Sequence, residues 1–501
     1  MKRVLSLVFI VCLLTSVLSV IPVSASITGV LDFIIINDKI TIKGCLNKNI
    51  TELVIPEDFY GDTFVAIDAQ AFSDCKNLTS VTIPESVTQI GFSAFSGCEN
   101  LVNINIPSGV TEIKSSMFKG CKKLADITLP ENLTKIAENA FKDCTSLTSI
   151  DIPASVTQIG DDVFYGCESL ENINVAPDNN VFSGVDGVLV NEKESTLLHY
   201  PAANKRTSYT VADEIVAIER AAFMSCENLT EVTIPDSVTS IGVSAFYGCN
   251  NLQNITMSKN LTELGPSAFY CCKALKDITI PDGVTSIKFN TFYLCSGLES
   301  ITLSKNLTAI GQHAFKGCSS LKSIDIPNGV TVIEPVSFSD CKSLESVTLP
   351  SNLTSIGDNA FSLCESLTEV IIPDGVTFID SSAFYYCRKL MTVVIPESVT
   401  EIVRSAFSQD DNLTIYGFEG SVAEVYAREN RIPFVAIVDY ETGDADMDRE
   451  ITIKDATAIQ KHLALIEVLE GKALSLADYD EDGVVTIKDA TEIQKFIAGI
   501  I

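Results

Sequence analysis

The apolar residues of this chain fall into one recurring phrase. Phe72, Cys75 and Leu78 are followed by Phe95, Cys98 and Leu101, then by Phe118, Cys121 and Leu124. The phrase passes through Cys144 and Cys167 and then breaks. It resumes at Cys226, Cys249, Cys272, Cys295, Cys318, Cys341, Cys364 and Cys387, with a step of 23 residues in each run. A last copy keeps Phe407 and Leu413 but sets Asp410 where the cysteine belongs. A fixed period of this length predicts a solenoid. Each unit has its own grammar. Val81 and Ile83 lie two apart, on one face of a short strand that Pro84 ends, because proline cannot donate to a central ladder. Val87 to Ile90 makes a second short apolar segment, closed by Gly91. Ala94, Phe95, Cys98 and Leu101 have helix-like spacing and fill the core. No single unit can bury all these groups; stacking does it.

The period fails at both ends and once in the middle. Residues 26–70 carry strand-like runs such as Phe33–Ile36 without the full phrase and predict an N-terminal cap. Residues 71–411 form the solenoid. Residues 412–438 predict a C-terminal cap, a helix over Gly420–Asn430 followed by a strand at Phe434–Ile437. Cys167 and Cys226 are 59 residues apart, 36 more than one step. The excess, at about residues 176–212, contains Asn179–Asn191 and Leu197–Pro201 and predicts a β-hairpin-rich island. Such an island serves either as a spacer or as a ligand-contacting protrusion.

This phrase, carried over roughly residues 45–438, resembles the leucine-rich repeats of bacterial surface antigens of the BspA-like type. The resemblance implies an elongated, curved, right-handed α+β solenoid; insertions with Asp-Gly-Val-Leu are similar to the island. In such solenoids the strand residues between inward-facing positions line the concave face. Here that row is mostly hydroxyl and amide and includes Thr233, Thr256, Thr279 and Thr302. It suits hydrogen bonding to a polysaccharide or an extended protein, although threonine also simply suits a solvated strand. Tyr247, Tyr270 and Tyr293 each follow a repeat Phe. Three stacked tyrosines suit sugar rings or a protein, and equally ordinary edge packing.

Composition narrows the function classes. The formal charge is −30, so phosphate backbones are repelled and nucleic acid is a poor partner. There is no Trp, and the three His, at positions 199, 313 and 462, lie far apart in sequence. That scarcity argues against a His-based catalytic or zinc site. Lys2, Arg3, the apolar run Val4–Val20 and the small residues Val23-Ser24-Ala25 predict a secretory signal over residues 1–25. No later segment is apolar enough to span a membrane. Export favours disulfides. Yet equivalent ladder cysteines would stand about 4.8 Å apart with parallel side chains, whereas a disulfide wants Cβ atoms about 3.5–4.5 Å apart. The ladder therefore predicts buried free thiols that act as small hydrophobes.

After Asp439–Gly443 the grammar changes. Asp444, Asp446, Asp448, Glu450 and Asp455 occupy positions 1, 3, 5, 7 and 12 of a calcium loop. Asp478, Asp480, Asp482, Val484 and Asp489 repeat it 34 residues later. Clustered carboxylates repel one another without a cation, so folding should couple to metal binding. Each loop leads into a near-identical helix, and each ends in Asp rather than Glu with no full helix before it. Residues 439–501 thereby resemble a type I dockerin, a small all-α calcium-binding module with two EF-hand-like loops. Dockerins bind cohesin modules on the scaffolding proteins of cellulosomes and related extracellular assemblies. Carried over, the resemblance makes Asp444, Asp446, Asp448, Glu450 (carbonyl) and Asp455 the ligands of one Ca2+. It makes Asp478, Asp480, Asp482, Val484 (carbonyl) and Asp489 those of a second. It places the cohesin-facing positions on Ile453, Lys454, Gln460 and Lys461, and on Ile487, Lys488, Gln494 and Lys495. The pairs match in both halves, so either half could face the cohesin. The Ser-Thr pair familiar at the recognition position is absent, and Arg449 stands where the loop glycine usually does.

The sequence therefore predicts a secreted, non-enzymatic binding protein. Its dockerin would dock onto a scaffolding protein while the solenoid meets a polysaccharide, a cell surface or a protein. A free extracellular adhesin is the alternative. A cryptic polysaccharide-active enzyme is a weaker one, because no nucleophile–base or carboxylate constellation stands apart from the repeats.

Overall fold

The structure is a computed structural model that describes residues 29–437, 442–447, 450–465 and 468–500. The leader expected over residues 1–25 lies outside them. The chain divides into two compact units, one formed by residues up to 390 with 403–412, the other by 391–402 with 413 onward.

In the first unit, Leu31–Ile36 pairs antiparallel with Lys39–Cys45. Lys39–Cys45 runs parallel to Asp62–Ile67, which pairs in turn with Gln89–Ile90. Glu52–Val54 pairs with Ser80–Thr82, and that strand with Asn103–Ile104. The cap strands thus open two parallel ladders, one strand per ladder from each turn. Val81 and Ile83 point inward and are buried while Thr82 is exposed, as a period of two requires.

The segment with helix-like spacing is not a helix. It is a run of tight turns in which two residues, four apart around the repeat Phe, take left-handed conformations. Ser93 (φ 53°) and Gly97 (φ 73°) flank Phe95, and Asn139 (φ 55°) and Asp143 (φ 61°) flank Phe141. A left-handed residue breaks the 3.6-residue period, which explains the departure from the expected spacing. It also aims three N–H groups per turn at the next turn. Ser93, Phe95 and Gly97 donate to the carbonyls of Ser115, Met117 and Lys119 at 2.9, 3.0 and 2.7 Å. Positive φ costs a side-chain-bearing residue about 1–2 kcal/mol, a penalty that Gly97, Gly120, Gly248 and Gly317 avoid.

The core is a stack of identical layers. Phe246, Phe269, Phe292 and Phe315 lie face to face with ring centroids 5.3–5.4 Å apart. Each ladder cysteine is free and buried. From Cys98 onward the thiol donates backward, as Cys98 Sγ does to the Phe72 carbonyl at 3.2 Å. Burial pushes the Cys295 and Cys341 thiols up, out of reach of ionisation near neutral pH. At the degenerate position Asp410 is buried, and its Oδ1 accepts from Cys387 N at 2.7 Å.

The island is an antiparallel meander, Phe182–Ser183 with Leu189–Asn191 and then Thr196–His199. Its last strand runs parallel to Ala217–Ile218 and so rejoins the ladder. Tyr200 takes the ladder position of the repeat Phe and stacks on Phe223 at 5.1 Å.

In the second unit, Thr392–Val394, Thr414–Gly417 and Phe434–Ala436 form a parallel sheet. Helix α1 (Val422–Asn430) is capped by Ser421, whose hydroxyl accepts from Glu424 N, and it ends at left-handed Arg431. It buries Ala423, Tyr426 and Ala427. Three further helices follow: α2 (Ile453–Leu463), α3 (Gly471–Leu476) and α4 (Ile487–Ile497).

Candidate cation loops and docking faces

The two acidic loops are fixed to helices α2 and α4 by the same device. Thr452 caps α2, its hydroxyl accepting from Lys454 N at 3.2 Å, while the Asp455 carboxylate accepts from Thr452 N at 2.7 Å. Thr486 and Asp489 repeat this on α4, at 3.1 and 2.8 Å. The other oxygen of each Asp reaches back into its loop. Asp455 Oδ1 accepts from Asp446 N at 3.0 Å; Asp489 Oδ1 accepts from Tyr479 N and Asp480 N at 2.8 and 3.2 Å. The last loop residue therefore closes a capping box and anchors the loop at once.

Both Asp455 and Asp489 are buried. Burial opposes ionisation of Asp489, but the N–H groups of Thr486, Asp480 and Tyr479 outweigh it and hold its carboxyl below the usual range. In the second loop Asp478 accepts from Asp482 N and Gly483 N at 3.1 and 2.8 Å, which folds the loop round its own carboxylates. Gly483 (φ 86°) makes the sharp turn in open space. Carboxylate oxygens of Asp444, Asp446 and Asp455 lie within 4.8 Å of one another, as do those of Asp478, Asp480 and Asp489. An all-oxygen set with two or three negative charges in so small a volume fits a hard divalent cation. Asp482 is exposed on the second loop, and Glu450 and Val484 stand at position 7. Asp448 and Arg449 lie outside the described residues.

The core beneath the loops has the same doubling. Ala456 and Ile459 of α2 match Ala490 and Ile493 of α4, and all four are buried beside Ala445 and Ala477. Ile453 and Ile487 are left outside at 58% and 61% exposure. Lys454, Gln460 and Lys461 are exposed on α2; on α4, Lys488 and Gln494 are exposed and Lys495 is half-buried. The spacing of seven residues from Ile453 to Gln460 is two helical turns, so each group forms one face. Lys488 pairs with Asp480 and Lys495 with Glu492, contacts that sequence reasoning did not foresee.

On the solenoid, Thr256, Thr279 and Thr302 are exposed and Thr233 is half-buried. Tyr247, Tyr270 and Tyr293 form a half-buried stack with centroids 4.6 and 4.7 Å apart, and Lys316 lies 5.9 Å from the last ring.

The BspA-type leucine-rich repeat model matches residues 43–184, 216–345 and 310–428, in 6 copies. The chain belongs to the BspA-type leucine-rich repeat family. The dockerin type I model matches residues 442–498. A leucine-rich repeat protein from Bacteroides ovatus is 29% identical, over 82% of this chain and 98% of its own, with a TM-score of 0.56. A leucine-rich cell surface protein from Faecalibacterium prausnitzii is 30% identical, over 64% and 93%, with a TM-score of 0.48. A leucine-rich repeat protein from Eubacterium ventriosum is 26% identical, over 71% and 92%, with a TM-score of 0.48. No curated protein matches the chain. Calcium binding and a cohesin partner follow from the dockerin, and both matched modules are binding modules. No described helix is long and apolar enough to cross a membrane.

Proposed function

We propose that this BspA-type repeat protein is a secreted, non-catalytic component of a cohesin–dockerin assembly. The observation that carries this is the doubled acidic loop, each copy capped onto a helix with the same Ile-Lys and Gln-Lys pairs, exposed except for the half-buried Lys495. Two Ca2+ would be held, one by Asp444, Asp446, Asp448, Glu450 and Asp455, the other by Asp478, Asp480, Asp482, Val484 and Asp489. Their charge would cancel the repulsion among the carboxylates and hold α2 and α4 in place. The faces at Ile453, Lys454, Gln460 and Lys461, and at Ile487, Lys488, Gln494 and Lys495, would then be alternative cohesin contacts. The solenoid would present its threonine row and tyrosine stack to a polysaccharide, a cell surface or a protein.

The test is capture of cohesin modules by residues 26–501 in calcium, followed by chelation. Release of a bound cohesin supports the reading. Failure of every cohesin to bind leaves the free-adhesin alternative, and polysaccharide hydrolysis by the purified chain would overturn the non-catalytic role.

A further inference from the structure

The inter-turn ladder is broken at one place, and a cavity stands there. In the preceding turn Asn139, Phe141 and Asp143 donate to the carbonyls of Asp161, Val163 and Tyr165 at 3.0, 3.0 and 2.7 Å. The next three donors in register are the N–H groups of Asp162, Phe164 and Gly166. Among the described residues none has an acceptor, because the island occupies the next turn. A boundary between sheets, one of several along the strand ladder, falls at the same level. Gln158–Ile159 ends one sheet and Thr196–His199 belongs to the next. Between them lies a cavity of about 330 Å³, at the lower end of the usual ligand-pocket range of about 300–1,000 Å³.

Its lining has an apolar floor that includes Phe164 and Leu198, and a polar wall of Asp161, Glu194, Glu219 and Arg220. Arg220 Nε reaches across the break to Asp162 Oδ1 at 3.0 Å. His199, whose ring lies 5.7 Å from that of Phe164, keeps its Nε2 shielded from solvent with no partner among the described residues. Thr196 Oγ1, on the same strand, is likewise buried without one. Partial desolvation pushes the carboxyl of the exposed Glu219 up, with the neighbouring charges of Asp161 and Glu194 adding to it.

We infer that this cavity is a carbohydrate subsite, in which a neutral sugar residue seats between the Thr157–Tyr165 turn and the island. Donors and acceptors decide the class. An anion would meet the carboxylates of Asp161, Glu194 and Glu219. A simple cation would leave the backbone donors of Asp162 and Phe164 without acceptors. A hydroxyl group gives and accepts in one atom, so a polyol serves both sets. Tyr165 lines the same cavity. This deepens the solenoid's part in the function proposed above and does not depend on docking.

The chain has three histidines, so ring-labelled His199 is a resolved reporter and His313 and His462 are internal controls. Residues 26–501 in calcium would be titrated with gluco-, xylo-, manno- and galacto-configured disaccharides, and separately with putrescine and acetate. At least one sugar is expected to move the His199 ring signals alone, and Glu219→Gln to weaken it about tenfold or more. Glu194→Gln, exposed like Glu219, gives the same reading should Glu219→Gln fold poorly. Silence from the whole sugar panel, or a response to putrescine or acetate alone, overturns the inference. Cohesin binding measured in the same samples tests the docking reading separately.

Discussion

The solenoid and the dockerin solve the same problem, holding a small folded unit together, in opposite ways. The solenoid repeats a neutral layer: Phe on Phe at 5.3–5.4 Å, thiol to carbonyl, three N–H groups handed to the next turn. Each layer is covered by its neighbours. The dockerin has two layers only. Among the described residues four alanines and two isoleucines form its buried core, and the same loops that close it crowd buried carboxylates together. Redundancy lets each layer of the first region be held by apolar and hydrogen-bonded contacts to its neighbours. The second has no such redundancy, and its clustered carboxylates would be neutralised by a bound cation.

Chelation should separate the two regions most sharply. Cohesin binding and the protection of amides in α2 and α4 should be lost, while amide exchange in the solenoid core stays unchanged. Loss of protection around Phe269 on chelation would break the contrast. Next in size is Phe269→Ala, which removes a ring stacked on both sides and should cost about 3–5 kcal/mol in denaturant unfolding without altering cohesin binding.

Asp410 sharpens the comparison, because it brings dockerin-like chemistry into the neutral layer. Burial pushes its carboxyl up to about 8, while in the unfolded chain it titrates near 4. The folded state thus holds the proton more tightly. The stability this site contributes is full below about pH 4 and is lost as pH rises through about 8. Asp410→Asn keeps the acceptor for Cys387 N. It should therefore match the parent at pH 4 and exceed it at pH 9 by on the order of 1–3 kcal/mol in thermal melts. An equal gain at both values would contradict this account. The smallest effect is chemical. Cys271, off the buried column and half-buried, should be the fast-reacting thiol in the native chain, the column thiols reacting only on unfolding.

Much of the molecule was legible in the residues. A 23-residue period marks layers whichever way each turn is wound, so the Phe–Cys–Leu core, the neutral thiols and the strand at Val81–Ile83 could be read directly. The spacing of oxygen ligands in a cation loop is local in the same sense, and Asp444, Asp446 and Asp455 converge as that spacing requires. The helix-like spacing of Ala94 to Leu101 misled, because apolar periodicity records which groups face inward but not the sign of φ at Ser93 and Gly97.

Sequence by itself determined what repeats: the layer, its count and the doubled loop, because a repeat writes its contacts into a fixed period. Only the tertiary structure decided what happens where the repeat is interrupted. Whether the N–H groups of Asp162, Phe164 and Gly166 find acceptors depends on what lies one turn away in space. There the 36-residue insertion replaces a layer with a cavity, and no local pattern records that.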